Sequence, residues 1–336
     1  MFDRKEDNMS FESEISIDDE LQNEKKINMK RSAMTAGLVV LSFALMIEII
    51  VFILLKINEK TPFLNELSAL YGADMIKWIF NDTVQLLAFV ISAFLISRFF
   101  YFKTLSLFKN KPVKLRENLY IAPVGLGFGF IAVLLTNIII NLVEKKGVLI
   151  PTGNITISDK SLPTLIVSGF AICIFAPVFE EFIFRGCLLN ILKPFGSWLS
   201  IIFSALCFSL LHGNVGQGVG TFVFGIFLGI AALKTRSVYL SIAMHILNNA
   251  IAFVSMMLSS FYKESPLVGL LGVLIIAIVF YAVIMFTLRL ERLKFKEVSD
   301  VKRIKRIIYL FLSPAVILYC LYCLYAILSG IVITTS

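Results

Sequence analysis

The stretch Leu119–Leu142, LYIAPVGLGFGFIAVLLTNIIINL, holds no charged side chain. At about 1.5 Å per residue a helix of this length spans about 36 Å, enough to cross a bilayer core of about 30 Å. Eight further apolar runs flank it. Ser32–Leu55 and Ile79–Ser97 precede it, and Leu162–Leu189, Ser197–Leu211, Val219–Leu233, Val238–Leu258, Leu267–Leu288 and Ile307–Ile331 follow. The fifth and sixth runs are short and read as partial or tilted passes. Of the 336 residues, 58% are hydrophobic and 16% charged, whereas soluble domains sit near half and a quarter. The pattern predicts an all-α, polytopic membrane helix bundle of about nine spans.

Charge then sets the expected organisation. Residues 1–31 hold nine acidic and six basic side chains and few aromatics, which predicts a disordered cytoplasmic tail. Because about thirty polar residues come first, no cleavable signal is expected. The rest divides into N-terminal membrane helices (32–158), a helical core (159–258) and C-terminal membrane helices (259–336). Lys25, Lys26, Lys30 and Arg31 precede the first span. Arg98, Lys103, Lys109, Lys111, Lys114 and Arg116 follow the second, and residues 289–306 hold eight basic and three acidic side chains. Lys234 and Arg236 fall on the same side. Nine crossings put all these loops in the cytoplasm and the C-terminus outside, in contact with anionic lipid. No basic face of a soluble domain is visible, so nucleic acid is not expected as a partner.

Cys173, Cys187, Cys207, Cys320 and Cys323 lie in or beside apolar runs and read as free, membrane-buried thiols. Cys320 and Cys323 form a CxxC without the second pair that a zinc site needs. Gly125, Gly127 and Gly129, and the pairs Gly216/Gly220 and Gly225/Gly229, predict close helix packing. Pro177 should kink or open the fourth helix.

Ionisable groups inside spans cost a few kcal/mol each on insertion scales, so each invites a functional reading. The fourth run carries Glu180, Glu181 and Arg185, the fifth ends at His212, and the seventh carries His245 and Asn249. Both histidines of the chain are in this set. Glu181 and Arg185 are i and i+4 and can pair on one face; Glu180 is rotated by about 100° toward another partner. His245 and Asn249 share a face and can direct donors at one substrate oxygen. Phe208, one turn before His212, can wall the site. Glu48 in the first span fits no motif.

In order along the chain, Glu180-Glu181-xxx-Arg185, Phe208-xxx-His212 and His245-xxx-Asn249 resemble the CPBP family, which contains CAAX prenyl endopeptidases and bacteriocin self-immunity proteins. The resemblance covers about residues 160–255. It implies an intramembrane endopeptidase, in a bacterial plasma membrane, acting on a peptide or membrane-protein substrate. Glu180 and His212 would hold and deprotonate a water, His245 and Asn249 would stabilise the oxyanion, and Glu181 and Arg185 would position the others. Which Glu is the base stays open. No cofactor is expected, although Glu180, His212 and His245 would also be a plausible zinc set. No His-Glu-xx-His, Gly-x-Gly-Asp or Gly-x-Ser-x-Gly motif occurs. Ser209 is a weak nucleophile candidate. The alternatives are a non-catalytic scaffold or immunity protein on the same fold, and a transporter using Glu48, Glu180 and Glu181. Counting from the loops puts His212 more than a turn deeper than Glu180 and His245.

Overall fold

The computed structural model describes residues 3–99, 111–152, 157–295 and 301–333; Lys103, Lys109 and residues 296–300 of the two basic loops lie outside them. The described chain is helical almost throughout, as a lipid solvent demands, because a helix satisfies its own backbone donors and acceptors. The elements are α1 (Asp3–Lys60), α2 (Phe63–Tyr71), α3 (Ala73–Phe99), α4 (Ile121–Glu144) and α5 (Leu162–Ile191). They continue as α6 (Ser197–Leu211), α7 (Val215–Thr235), α8 (Tyr239–Phe261), α9 (Pro266–Leu293), α10 (Arg303–Phe311) and α11 (Pro314–Ser329).

Every apolar run expected to be a span is a helix, but they are not equal. Among the described residues seven helices, α1, α3, α4, α5, α7, α8 and α9, are long and apolar enough to cross a membrane. The ninth run is broken: α10 and α11 meet at 64°. Pro314 opens α11, where its missing N–H costs nothing and where it cannot continue α10. The fifth run, α6, has 15 residues, about 22 Å of helix, short of a full crossing. At the N-terminus, α1 runs as helix through the segment expected to be disordered. No proline occurs before Pro62 to stop it, and residues 21–31 are mostly exposed, so this part has little core behind it.

Contacts between loops define the two ends of the bundle. At one end Val113 donates its N–H to the Thr235 carbonyl (2.9 Å), Lys234 reaches the Lys294 carbonyl, and Arg306 reaches the Phe195 carbonyl. Lys30 sits 5.6 Å over the Tyr309 ring at the same end. At the opposite end Asp74 accepts from the N–H groups of Ser158 (2.7 Å) and Asp159 (2.8 Å), tying the start of α3 to the approach to α5. Gly216 abuts Thr152 there, and Val148–Leu149 pairs antiparallel with Val332–Ile333. Successive long helices therefore alternate in direction, with α6 and α7 forming a hairpin between α5 and α8.

Small residues set the approach of these helices. α1 packs on α11 through Gly37, where a Cβ would stand 2.5 Å from the Val316 nitrogen. α4 packs on α9 through Gly127, where a Cβ would overlap that of Ala282. Backbone atoms cannot move aside as a flexible side chain can. Gly37→Ala and Gly127→Ala should each destabilise the protein by about 1–3 kcal/mol, whereas Gly272→Ala, with nothing within 4 Å of the new Cβ, should not. Thermal unfolding of the purified variants in detergent checks the contrast.

Candidate active site

The site begins with a defect in α5. This helix leaves α-geometry twice, for the π-helical turns Ala171–Phe175 and Phe182–Leu188, with Ala176–Glu181 between them. Pro177 explains the first. It has no N–H, so in the π register the carbonyl five residues earlier, Ile172, loses its donor. Asn249 of α8 supplies the replacement, its Nδ2 donating to the Ile172 oxygen at 2.9 Å. The kink expected at Pro177 is thus a bulge, and Asn249 is bound to it.

The second π turn places Arg185. Its guanidinium donates through Nη1 to Glu181 Oε1 (2.8 Å) and through Nη2 to the carbonyl of Gly225 on α7 (3.0 Å). Its plane lies 4.6 Å from the centre of the Phe208 ring, a contact that suits a flat, weakly hydrated cation. Both Glu181 and Arg185 are 0% exposed. Gly225 leaves room for this contact, because a Cβ there would stand 3.1 Å from Arg185 Nη2 and 3.2 Å from Phe208 Cδ1, and one of them would have to shift.

His245 joins this network from α8. Its Nδ1 lies 3.1 Å from Glu181 Oε1, so Nδ1 carries the proton and donates to the carboxylate. Its Nε2 points the other way, 3.5 Å from Glu180 Oε2. Glu180 retains 19% side-chain exposure. The two glutamates therefore differ in kind: Glu181 is spent on Arg185 and His245, while Glu180 faces open space.

That space is a cavity of about 620 Å³ bounded by α3, α4, α5, α7 and α8, with Glu180, His212, His245 and Asn249 on its wall. His212 follows the last turn of α6, and the left-handed Gly213 (φ +65°) turns the chain into α7. Its Nδ1 lies 2.9 Å from the Phe208 carbonyl. A carbonyl can only accept, so the proton is on Nδ1 and Nε2 offers a lone pair. Phe208 contacts both imidazoles edge to face, at 5.0 Å from His212 and 5.4 Å from His245. It is fully buried, a spacer between the site residues rather than the wall against lipid that its sequence position implies. His212 lines the same cavity as Glu180 and His245, so the depth difference counted along the sequence does not keep them apart.

Some expected arrangements are not present. His245 and Asn249 share a helix face and both line the cavity, but His245 Nδ1 is turned to Glu181 and one hydrogen of Asn249 Nδ2 to Ile172, so only His245 Nε2 and the second amide hydrogen are left for a substrate oxygen. Among the described residues no three His, Cys, Asp or Glu side chains gather closely enough to hold a metal ion. The alternative zinc set Glu180, His212 and His245 is not gathered in this arrangement. Ser209 donates to the Gly218 carbonyl (2.6 Å) and ties α6 to α7; it is not presented to His212. Glu48 accepts from Tyr322 on α11 (2.9 Å) and does not line the cavity. All five cysteines are free.

One wall of the cavity is missed by sequence reasoning. Trp78, Asn81, Asp82 and Gln85 of α3 line it. Their spacing of i, i+3, i+4 and i+7 is that of a single helix face. By hydropathy the second apolar run begins at Ile79, which puts Asn81 and Asp82 at its edge; the helix begins at Ala73, which puts them well inside.

Residues 162–251 match the family described as "Type II CAAX prenyl endopeptidase Rce1-like". The chain is also similar to an Escherichia coli "Uncharacterized 24.3 kDa protein", at 29% identity over 94 residues, covering 26% of this chain and 43% of that protein. The chain thus spans less than half the length of this curated relative. No solved structure matches it.

Removing one member of the buried pair should cost more than removing both. Arg185→Ala strands the Glu181 charge and should lose about 3–5 kcal/mol of stability, while Glu181→Gln combined with Arg185→Met should lose much less. Reversible unfolding in mixed micelles measures both.

Proposed function

We propose that this chain, which through residues 162–251 carries the Rce1-like type II CAAX prenyl endopeptidase match, is an intramembrane endopeptidase that uses Glu180 as its base. The observation that carries the reading is the split between the two glutamates. Glu181 is buried and bound, whereas Glu180 stands on the cavity wall with His245 Nε2 3.5 Å away.

The proposed chemistry follows from the tautomers. A water on the cavity wall is held by the free lone pair of His212 Nε2 and gives its proton to the Glu180 carboxylate. The hydroxide oxygen bonds to the peptide carbonyl carbon, and the C=O π pair moves onto oxygen. The second hydrogen of Asn249 Nδ2 and a protonated His245 Nε2 hold that oxyanion. Glu181 keeps the ring oriented by accepting from its Nδ1. The tetrahedral centre then collapses, the C–N bond breaks, and the proton on Glu180 passes to the departing amine. Carboxylate and amine are the products, and no metal takes part in the proposal.

The proposal extends to topology. The end with Lys30, Lys234, Lys294 and Arg306 would face the cytoplasm of a bacterial cell, and the end with Asp74 and Thr152 the outside. Substrates would be peptides or membrane proteins whose cleavage site reaches the cavity from the bilayer.

Purified protein in liposomes, given a peptide library, should yield cleavage products that Glu180→Gln abolishes while the variant still inserts and unfolds at the wild-type temperature. His212→Ala and His245→Ala should also abolish them, and Asn249→Ala should slow turnover about 10²–10³-fold. Strong chelation should leave the rate unchanged. Persistent cleavage by Glu180→Gln would refute the assignment of the base.

A further inference from the structure

The basic end of the bundle holds a second cavity, which shares no lining residue with the first. It measures about 360 Å³ and lies between α10 and the part of α1 that precedes the span, against Gln22, Asn23, Lys26, Lys302, Lys305 and Tyr309. Among the described residues none that lines it is acidic, and no carboxylate pairs with any of the three lysines. Cations kept together without a counter-charge repel one another, and an anion relieves them. The start of α10 adds to this field. Lys302 is its N-cap residue, no side chain closes the first turn, and that turn holds no acidic residue, so unpaired N–H groups and the positive end of the helix dipole stand beside the lysines.

The other faces of α10 identify the anion. Its core side is fixed by Leu310 and Arg306, both buried, with Arg306 bound to the Phe195 carbonyl. Away from the core, Ile304, Ile308 and Leu312 form an exposed apolar stripe at i, i+4 and i+8. At about 100° per residue, Lys305 stands only about 60° from Ile308 around the helix, so the cationic face and the apolar stripe adjoin. Because α10 meets α11 at 64°, it lies across the end of the bundle instead of along it. A short helix with this pattern rests at headgroup level with its apolar face in the acyl region. A free phosphate would use the lysines and leave the stripe bare, whereas a phospholipid matches both.

We infer that this cavity binds the phosphate of an anionic phospholipid from the leaflet at the basic end, with the acyl chains against Ile304, Ile308 and Leu312. Lys26 comes from α1 and Lys302 and Lys305 from α10, so the bound lipid joins the two helices. The site goes beyond the endopeptidase reading and does not depend on it.

Native mass spectrometry of the full-length protein, released from micelles holding equal amounts of phosphatidylglycerol and phosphatidylcholine, tests the site by counting the lipids that stay bound. Each lysine near an anionic surface is worth about fivefold in affinity, so the first bound lipid should be phosphatidylglycerol by at least about tenfold. Lys26→Gln, Lys302→Gln and Lys305→Gln combined should bring the ratio near one, and arginine at the same three positions should keep it. All three lysines are exposed, so both variants should unfold at the wild-type temperature in phosphatidylcholine alone. Lys111→Gln with Arg116→Gln, which removes two exposed charges outside the cavity, should leave the ratio unchanged. Ile308→Asn should weaken retention of phosphatidylglycerol, and glycerol 3-phosphate, the probe for a free phosphate, should not displace it even at a hundredfold excess. Equal retention of the two lipids by the wild type would overturn the inference. So would a preference that the triple glutamine variant keeps or that the Lys111/Arg116 variant also loses, or displacement by glycerol 3-phosphate at equal concentration.

Discussion

The arrangement around the cavity depends on one buried cation. Arg185 ties α5 to α6 and α7 at once, through Glu181 on its own helix, Phe208 beneath its plane and the Gly225 carbonyl opposite. An unpaired guanidinium in a medium of low dielectric would be expelled, so each of these contacts must be made for the helices to stay where they are. Through Glu181 the same cation orients His245 on α8. Four helices thereby share a single electrostatic centre. Such a pair contributes little net stability compared with an apolar replacement, but it fixes relative position, and position is what a site assembled from separate helices requires.

A second constraint is the proline in α5. Inside a membrane helix it frees a carbonyl that lipid cannot satisfy. The chain answers with a π turn and with Asn249, whose amide both repairs the backbone of α5 and stands at the cavity. Backbone repair and site geometry therefore use the same side chain.

The membrane fold was legible because a soluble core rarely needs uncharged runs as long as Leu119–Leu142, and the four-residue spacings named Glu180, Glu181, Arg185, His212, His245 and Asn249 together. What spacing could not supply was direction. Whether Glu180 or Glu181 turned inward depended on π turns that shift the helix phase, and a periodicity of about 3.6 does not contain them. That His245 Nδ1 would be bound to Glu181 depended on α5 and α8 meeting, which is a tertiary fact. The break before Pro314 was visible as a proline but not as a bend. Asp82 was overlooked because the edge of an apolar run is set by hydropathy, while the helix is set by its hydrogen bonds and starts earlier.

The brevity of α6 has an electrical consequence. Beside its C-terminal end a cavity extends from Thr152 at one end of the bundle inward to His212 and His245. Filled with water, such a crevice would carry the potential of the solution it adjoins, and the transmembrane voltage would fall mainly across the septum beyond the imidazoles. A charged segment entering the crevice would cross only a small part of that voltage, and its entry would be nearly indifferent to the energised state of the membrane.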